Sequence, residues 1–266
     1  MKIKEIISSL EEFAPPQLQE DYDNTGLNIG NPANEITGIL LTIDVTQEVI
    51  EEAIENNCNL IVAHHPLIFG EIKSITGANH VEKCIISAIK NNISIYCGHT
   101  NFDSVSKGVN HKICEKLGLK DLKVLSAKSN YLIKLAVFVP ESHTELVRKA
   151  IFDSGAGKIG NYDSCSFYSN GIGSFKAGEN TNPFVGEKGE IHFENEIKIE
   201  TVFPKHLKGK IINAMLNAHP YEEVAYDIYK IENRWDSAGL GMLGKFEKPI
   251  SEIELMDYLK TNLIFQ

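Results

Sequence analysis

Two short apolar runs constrain the fold more than any other feature. Leu60-Ile61-Val62-Ala63 and Ile93-Ser94-Ile95-Tyr96-Cys97 are too brief for helices and lack the polar alternation of a half-solvated strand. Runs of this kind are strands buried on both faces, as in parallel sheets. Ile36–Ile43 is a third strand-like run. Segments of helical period separate them: Asp44-Val45-Thr46 opens a helix through Val49, Ile50, Ala53 and Ile54 to Asn57, and residues 80–91 and 108–117 read as further helices. An N-terminal helix over 2–13 carries Ile3, Ile6, Ile7, Leu10 and Phe13 at helical spacing and stops before Pro15-Pro16. The alternation predicts an α/β domain with a mostly parallel sheet.

The texture changes near residue 130. A strand over 132–139 and a helix over 144–154 are followed by a hairpin from 163–168 and 172–175. A polar, Gly-rich stretch (176–189), a strand over 197–203, a helix over 204–217 and a strand over 224–231 complete the pattern. This order predicts an inserted α+β, ferredoxin-like domain over 131–232, set between a first half (1–130) and the start of a second half (233–266) of the α/β domain. Ser251 and Glu254 are spaced as a capping box for a helix over 251–263.

Composition narrows the function classes. The 266 residues carry 26 Lys+Arg against 36 Asp+Glu, a net charge of −10, which disfavours nucleic-acid binding through phosphate neutralisation. No apolar run approaches the roughly 20 residues needed to span a bilayer, and the N-terminus lacks a signal-peptide pattern. Five scattered cysteines without C-x-x-C spacing point to a reducing cytoplasm and away from a disulfide framework or a Cys-based zinc site.

Both short strands end in metal-binding side chains. His64-His65 follows the first, and Gly98-His99-Thr100-Asn101-Phe102-Asp103 follows the second. The crevice beyond the C-terminal strand ends is where open α/β sheets bind ligands. Imidazole plus carboxylate suits divalent transition metals, so His64, His65 and Asp103 are the candidate ligands. His99 is a candidate general acid/base or a structural loop histidine. Asp21-Tyr22-Asp23-Asn24-Thr25-Gly26 carries turn chemistry and could border the crevice. Asp44 either caps the next helix or faces the crevice behind a ligand. Gly155-Ala156-Gly157-Lys158-Ile159-Gly160 fits the dinucleotide fingerprint only in spelling, because a helix precedes it and a strand follows. His219-Pro220-Tyr221-Glu222-Glu223 reads as a turn or a ligand-sensing loop.

Asp23-Asn24-Thr25-Gly26-Leu27, Ala63-His64-His65-Pro66-Leu67 and Gly98-His99-Thr100-Asn101-Phe102-Asp103 together resemble the dinuclear metal-centre family of GTP cyclohydrolase 1 type 2 homologues. Residues 155–162 and 219–223 are similar to the insert of its longer bacterial members. The resemblance implies two divalent metal ions (zinc, iron or manganese), held by His64, His65 and Asp103, with His99 in the site loop. It implies a PII-like insert, a toroidal homohexamer built of trimers, and metal-dependent hydrolysis of GTP. It also implies a late His-x-x-x-Glu completing the site. No histidine follows His219, so the expectation is of a chain interrupted before that segment. A non-catalytic metal-binding assembly or regulatory adaptor is the alternative.

Overall fold

The computed structural model describes residues 1–263. The chain divides into two compact units, one built from Met1–Ser126 with the chain from Ser237, the other from Ala127–Asp236. The class is mixed α/β.

In the first unit, α1 (Ile3–Phe13) starts where the Glu5 carboxylate accepts the Lys2 backbone N–H at 2.6 Å, and it ends ahead of the two prolines. Next come β1 (Gly26–Ile29), β2 (Ile39–Thr42), α2 (Gln47–Glu55), β3 (Leu60–Ala63), α3 (His80–Lys90), β4 (Ser94–Cys97), α4 (Thr100–Ser104) and α5 (Val109–Lys116). The sheet order is β1-β4-β3-β2. β2, β3 and β4 are parallel, and β1 runs antiparallel to β4. Ile61, Ala63, Ile95 and Cys97 face α2 and α3 and pack on Ile50, Ala53, Ile85 and Ala88. Leu60 and Tyr96 face the other way, onto Ile3 and Ile7 of α1. Helices on both faces explain why β3 is apolar throughout and why β4, Ser94 included, is buried throughout.

The second unit begins at Ala127, within the last residues of β5 (Lys120–Lys128). It contains β6 (Leu132–Pro140), α6 (Thr144–Asp153), β7 (Ser166–Lys176), β8 (Ile191–Pro204), α7 (Lys208–Ala218) and β9 (Tyr226–Ile231). This is the βαββαβ pattern of ferredoxin-like modules, with an antiparallel sheet ordered β7-β8-β6-β9. Leu135, Val137, Val139, Ile199 and Phe203 form a core with Val147 and Ile151 of α6 and Ile211 and Met215 of α7. β10 (Trp235–Lys245) then pairs with β5, and α8 (Glu252–Asn262) starts at the expected Ser251–Glu254 capping box.

Five points depart from the sequence expectations or settle an alternative they left open. The hairpin over 163–175 is one strand, β7, paired with β8 along its whole length. β1 lies where only a turn was expected, and the β5/β10 ribbon was not foreseen. The cap of α2 is Thr46, whose hydroxyl accepts the Val49 N–H at 3.2 Å, which frees Asp44. Asp103 sits on the short helix α4 rather than at a strand end.

Glu82 secures the loop between β3 and α3. Its carboxylate accepts from the Thr76 and Ala78 backbone N–H groups, the Thr76 hydroxyl and the Asn79 amide, at 2.8–2.9 Å. The backbone bonds from Thr76 and Ala78 above all hold its pKa down to about 2. A depressed folded pKa adds stability that is complete above the unfolded value of 4.5 and is lost as pH falls toward 2. The stability gap between wild type and Glu82→Gln, measured by urea unfolding, is therefore expected to shrink between pH 5 and pH 2.5. A gap that stays constant with pH would remove this role from Glu82.

Candidate metal centre

The parallel register places Ala63 beside Cys97, so β3 and β4 end at the same level. The ladder continues one step further: Gly98 N–H donates to Ala63 O at 2.9 Å, His64 N–H to Thr42 O at 3.1 Å and His65 N–H to Ile43 O at 2.9 Å. The backbone therefore delivers His64, His65 and His99 to one edge of the sheet. Their ring centroids form a triangle with sides of 5.0, 5.2 and 5.6 Å. One nitrogen from each ring lies within 4.8 Å of the others, close enough to hold a metal ion.

Each imidazole is held from behind. His64 Nδ1 donates to the Gly98 carbonyl at 2.9 Å, His65 Nδ1 to Asp44 Oδ1 at 2.8 Å, and His99 Nδ1 to Asp23 Oδ1 at 2.8 Å. Carbonyl and carboxylate oxygens only accept, so all three Nδ1 atoms carry the proton. The lone pair is left on each Nε2. A ligating histidine whose other nitrogen donates to a carboxylate or carbonyl is the usual support of a metal site.

The supports differ in exposure. The side chains of His65 and Asp44 are 50% and 67% exposed, whereas those of His99 and Asp23 are 19% and 0% exposed. Burial alone would raise the Asp23 pKa. The Thr100 hydroxyl, His99, and the backbone N–H groups of Thr100 (3.0 Å) and Asn24 (2.8 Å) outweigh it and hold the carboxyl below its ordinary value. Asp23 is thus an anion fixed by four donors. The Asn24 amide donates to Ile68 O at 2.7 Å and ties this turn to the chain after His65.

Asp103 lies one helical turn beyond His99, with its backbone N–H donating to His99 O at 3.3 Å. Its carboxylate is not part of the three-imidazole group and makes no hydrogen bond or ion pair among the described residues. His219 is remote in sequence and serves structure: its Nε2 donates to Phe138 O at 3.0 Å, and burial lowers its pKa. Sequence reasoning missed the Gly98 carbonyl; it placed Asp23 in a turn that could border the crevice, without pairing it with His99. The one available signal was the carboxylate's place in an Asp-Asn-Thr-Gly turn.

A mixed α/β chain with buttressed imidazoles beyond its parallel strand ends has the makings of a metal-binding protein. The chain belongs to the Duf34/NIF3 (NGG1p interacting factor 3) family, whose model matches residues 1–266. It is 42% identical to a Halalkalibacterium halodurans protein named GTP cyclohydrolase 1 type 2 homolog, covering 96% of this chain and 69% of that one. A Bacillus subtilis protein of the same name is 41% identical over 98% of this chain and 70% of its own length. Among solved structures, a Bacillus cereus protein related to NIF3 superposes with a TM-score of 0.86 at 41% identity, covering 99% of this chain and 70% of that one. No described helix is long and apolar enough to cross a membrane.

Proposed function

We propose that this chain is a metal-dependent hydrolase of the GTP cyclohydrolase 1 type 2 kind, acting on a purine nucleotide such as GTP. The observation that carries the reading is the set of three imidazoles whose Nδ1 atoms are all engaged, leaving three Nε2 lone pairs on one sheet edge. Two of these lone pairs, on His64 and His65, are read as metal donors that fit zinc, iron or manganese, and the third, on His99, as a proton acceptor. His64, His65 and Asp103 are the proposed ligands of two divalent ions. Bound ions supply Lewis acidity and bring the pKa of water toward neutrality.

The protein's own groups do the rest. His64 and His65 are fixed in the tautomer that presents a lone pair. The unpaired Asp103 carboxylate adds an oxygen donor one turn beyond His99. His99, oriented by Asp23, accepts a proton at Nε2 from a water that bonds to the imidazole-ring carbon of the purine, and returns it to the ring nitrogen as that carbon–nitrogen bond breaks. A second water, handled the same way, cleaves the resulting formamide and releases formate. Asp23 is a positioning residue. The βαββαβ unit is read as a PII-like insert, and the assembly as a toroidal homohexamer. A second reading, a non-catalytic metal-binding adaptor, is favoured by the separate cavity within that unit.

The test is metal content by plasma mass spectrometry on untagged protein, combined with formate release from GTP. About two ions per chain and metal-dependent formate release are expected. His99→Ala should keep the metal and lose about 10²–10⁴-fold in turnover. Metal without turnover in wild type would sink the hydrolase and favour the adaptor. Loss of metal in His99→Ala would make His99 a ligand.

A further inference from the structure

The βαββαβ unit holds a cavity of about 620 Å³, within the range of small-molecule sites. It lies on the sheet face that α6 and α7 leave bare. The register shows this: Phe138 is opposite Lys198, Gly171 opposite Glu196, and Phe175 opposite His192, all alternating with the helix-facing Val137, Ile197 and Ile199. Phe138, Phe175, Phe184 and Tyr221 wall the space, with Tyr221 centred 6.4 Å from Phe175 and 6.1 Å from Phe184.

Acidic charge is in excess in this aromatic enclosure: Glu196, Glu222 and Glu223 line it without an ion pair among the described residues, Glu222 and Glu223 exposed and Glu196 more deeply set. Glu194 pairs with His192 at 2.9 Å, Glu222 accepts the Asn182 N–H at 2.8 Å, and Lys198 turns to Glu200 at 3.2 Å. Lys176 lies at the end of β7 opposite Ile191, where alternation turns its side chain toward the other sheet face although the residue still borders the cavity. Glu196 is half-buried and forms no ion pair among the described residues. Its carboxylate lies flat on Gly173, where any Cβ would come within 2.2 Å of it. The Tyr221 hydroxyl is buried next to this carboxylate, and burial above all, then the Glu196 charge, pushes its pKa up. Aromatic faces around an unpaired carboxylate are complementary to an organic cation, which the rings attract through their negative faces.

We infer that this cavity binds a small organic amine or quaternary ammonium compound, its nitrogen against Glu196 and its carbon body among Phe138, Phe175, Phe184 and Tyr221. The site is separate from the imidazole cluster and does not depend on the hydrolase reading.

Isothermal titration of the full chain with benzyltrimethylammonium tests it, with the uncharged isostere 2,2-dimethylpropylbenzene as the neutral counterpart. Saturable binding of the cation is expected, weakened by about tenfold in Glu196→Gln and by a similar factor in Phe184→Ala, which alters a loop and not the sheet. Circular dichroism on both variants checks that the fold persists. Three results would overturn the inference: no saturable binding of the cation to wild type, equal binding of the neutral counterpart, or cation binding that Glu196→Gln leaves unchanged. Closure of this face by a second copy of the chain would appear as the first of these, together with a dimer or larger species in light scattering.

Discussion

Replacing His64 with alanine is expected to strip the metal centre while leaving the fold in place. The mutation removes one Nε2 donor from the group of three and frees the carbonyl of the buried Gly98, which the space vacated by the half-buried imidazole opens to water. Partners that only support a ligand cost 10–100-fold in metal affinity when removed, so a direct ligand should cost more than about 100-fold. Metal titration followed by plasma mass spectrometry reads this directly. His111→Ala is the control, since His111 lies on α5 beside Glu115, away from the cluster. Equal metal retention in His64→Ala and His111→Ala would refute the proposed ligand set. Stability should fall little in apo protein, because His64 is only half-buried and makes a single side-chain hydrogen bond.

The parts of this site differ in how far the sequence exposes them, and the difference follows from the range of the interactions. β3 was readable to the residue because Leu60–Ala63 is apolar on both faces, and both faces are covered by helices. His64 and His65 were therefore correctly placed just past a strand end. β1 was not readable. Gly26-Leu27-Asn28-Ile29 has one polar residue in four and a turn-like approach, and it is a strand only because β4 pairs with it. β7 was split by Ser169-Asn170-Gly171, which has turn chemistry, yet continuous pairing with β8 overrides that local preference. The Asp44 ambiguity was real at the level of sequence, since Asp44 and Thr46 are both good caps. Only the three-dimensional placement of His65 separates their roles. Asp23 meets His99 across 76 residues of chain, and no periodicity reports a contact of that range.

Asp23→Asn is expected to uncouple metal binding from turnover. The carboxylate is enclosed, with one oxygen receiving His99 Nδ1–H and Asn24 N–H and the other receiving both donors of Thr100. An amide offers an acceptor on one side only. With its oxygen toward Thr100, its NH₂ faces His99 Nδ1, and the ring must move its proton to Nε2, the atom required to accept one. With its oxygen toward His99, the NH₂ confronts two donors instead, and each unsatisfied donor costs about 1–3 kcal/mol. The second arrangement keeps the productive tautomer but leaves the Thr100 donors unsatisfied, so the first competes with it and lowers the fraction of His99 in the productive tautomer. The expected result is a fall in kcat of about 10–100-fold with KM nearly constant and metal content retained, because His64 and His65 keep their own supports. Asp44→Asn should change kcat less, since that pair is more than half exposed and water can take the place of the carboxylate. A purely structural role for Asp23 would instead lower stability and leave kcat per folded, metal-loaded chain unchanged, so comparing unfolding midpoints with kcat at matched metal occupancy decides between the two.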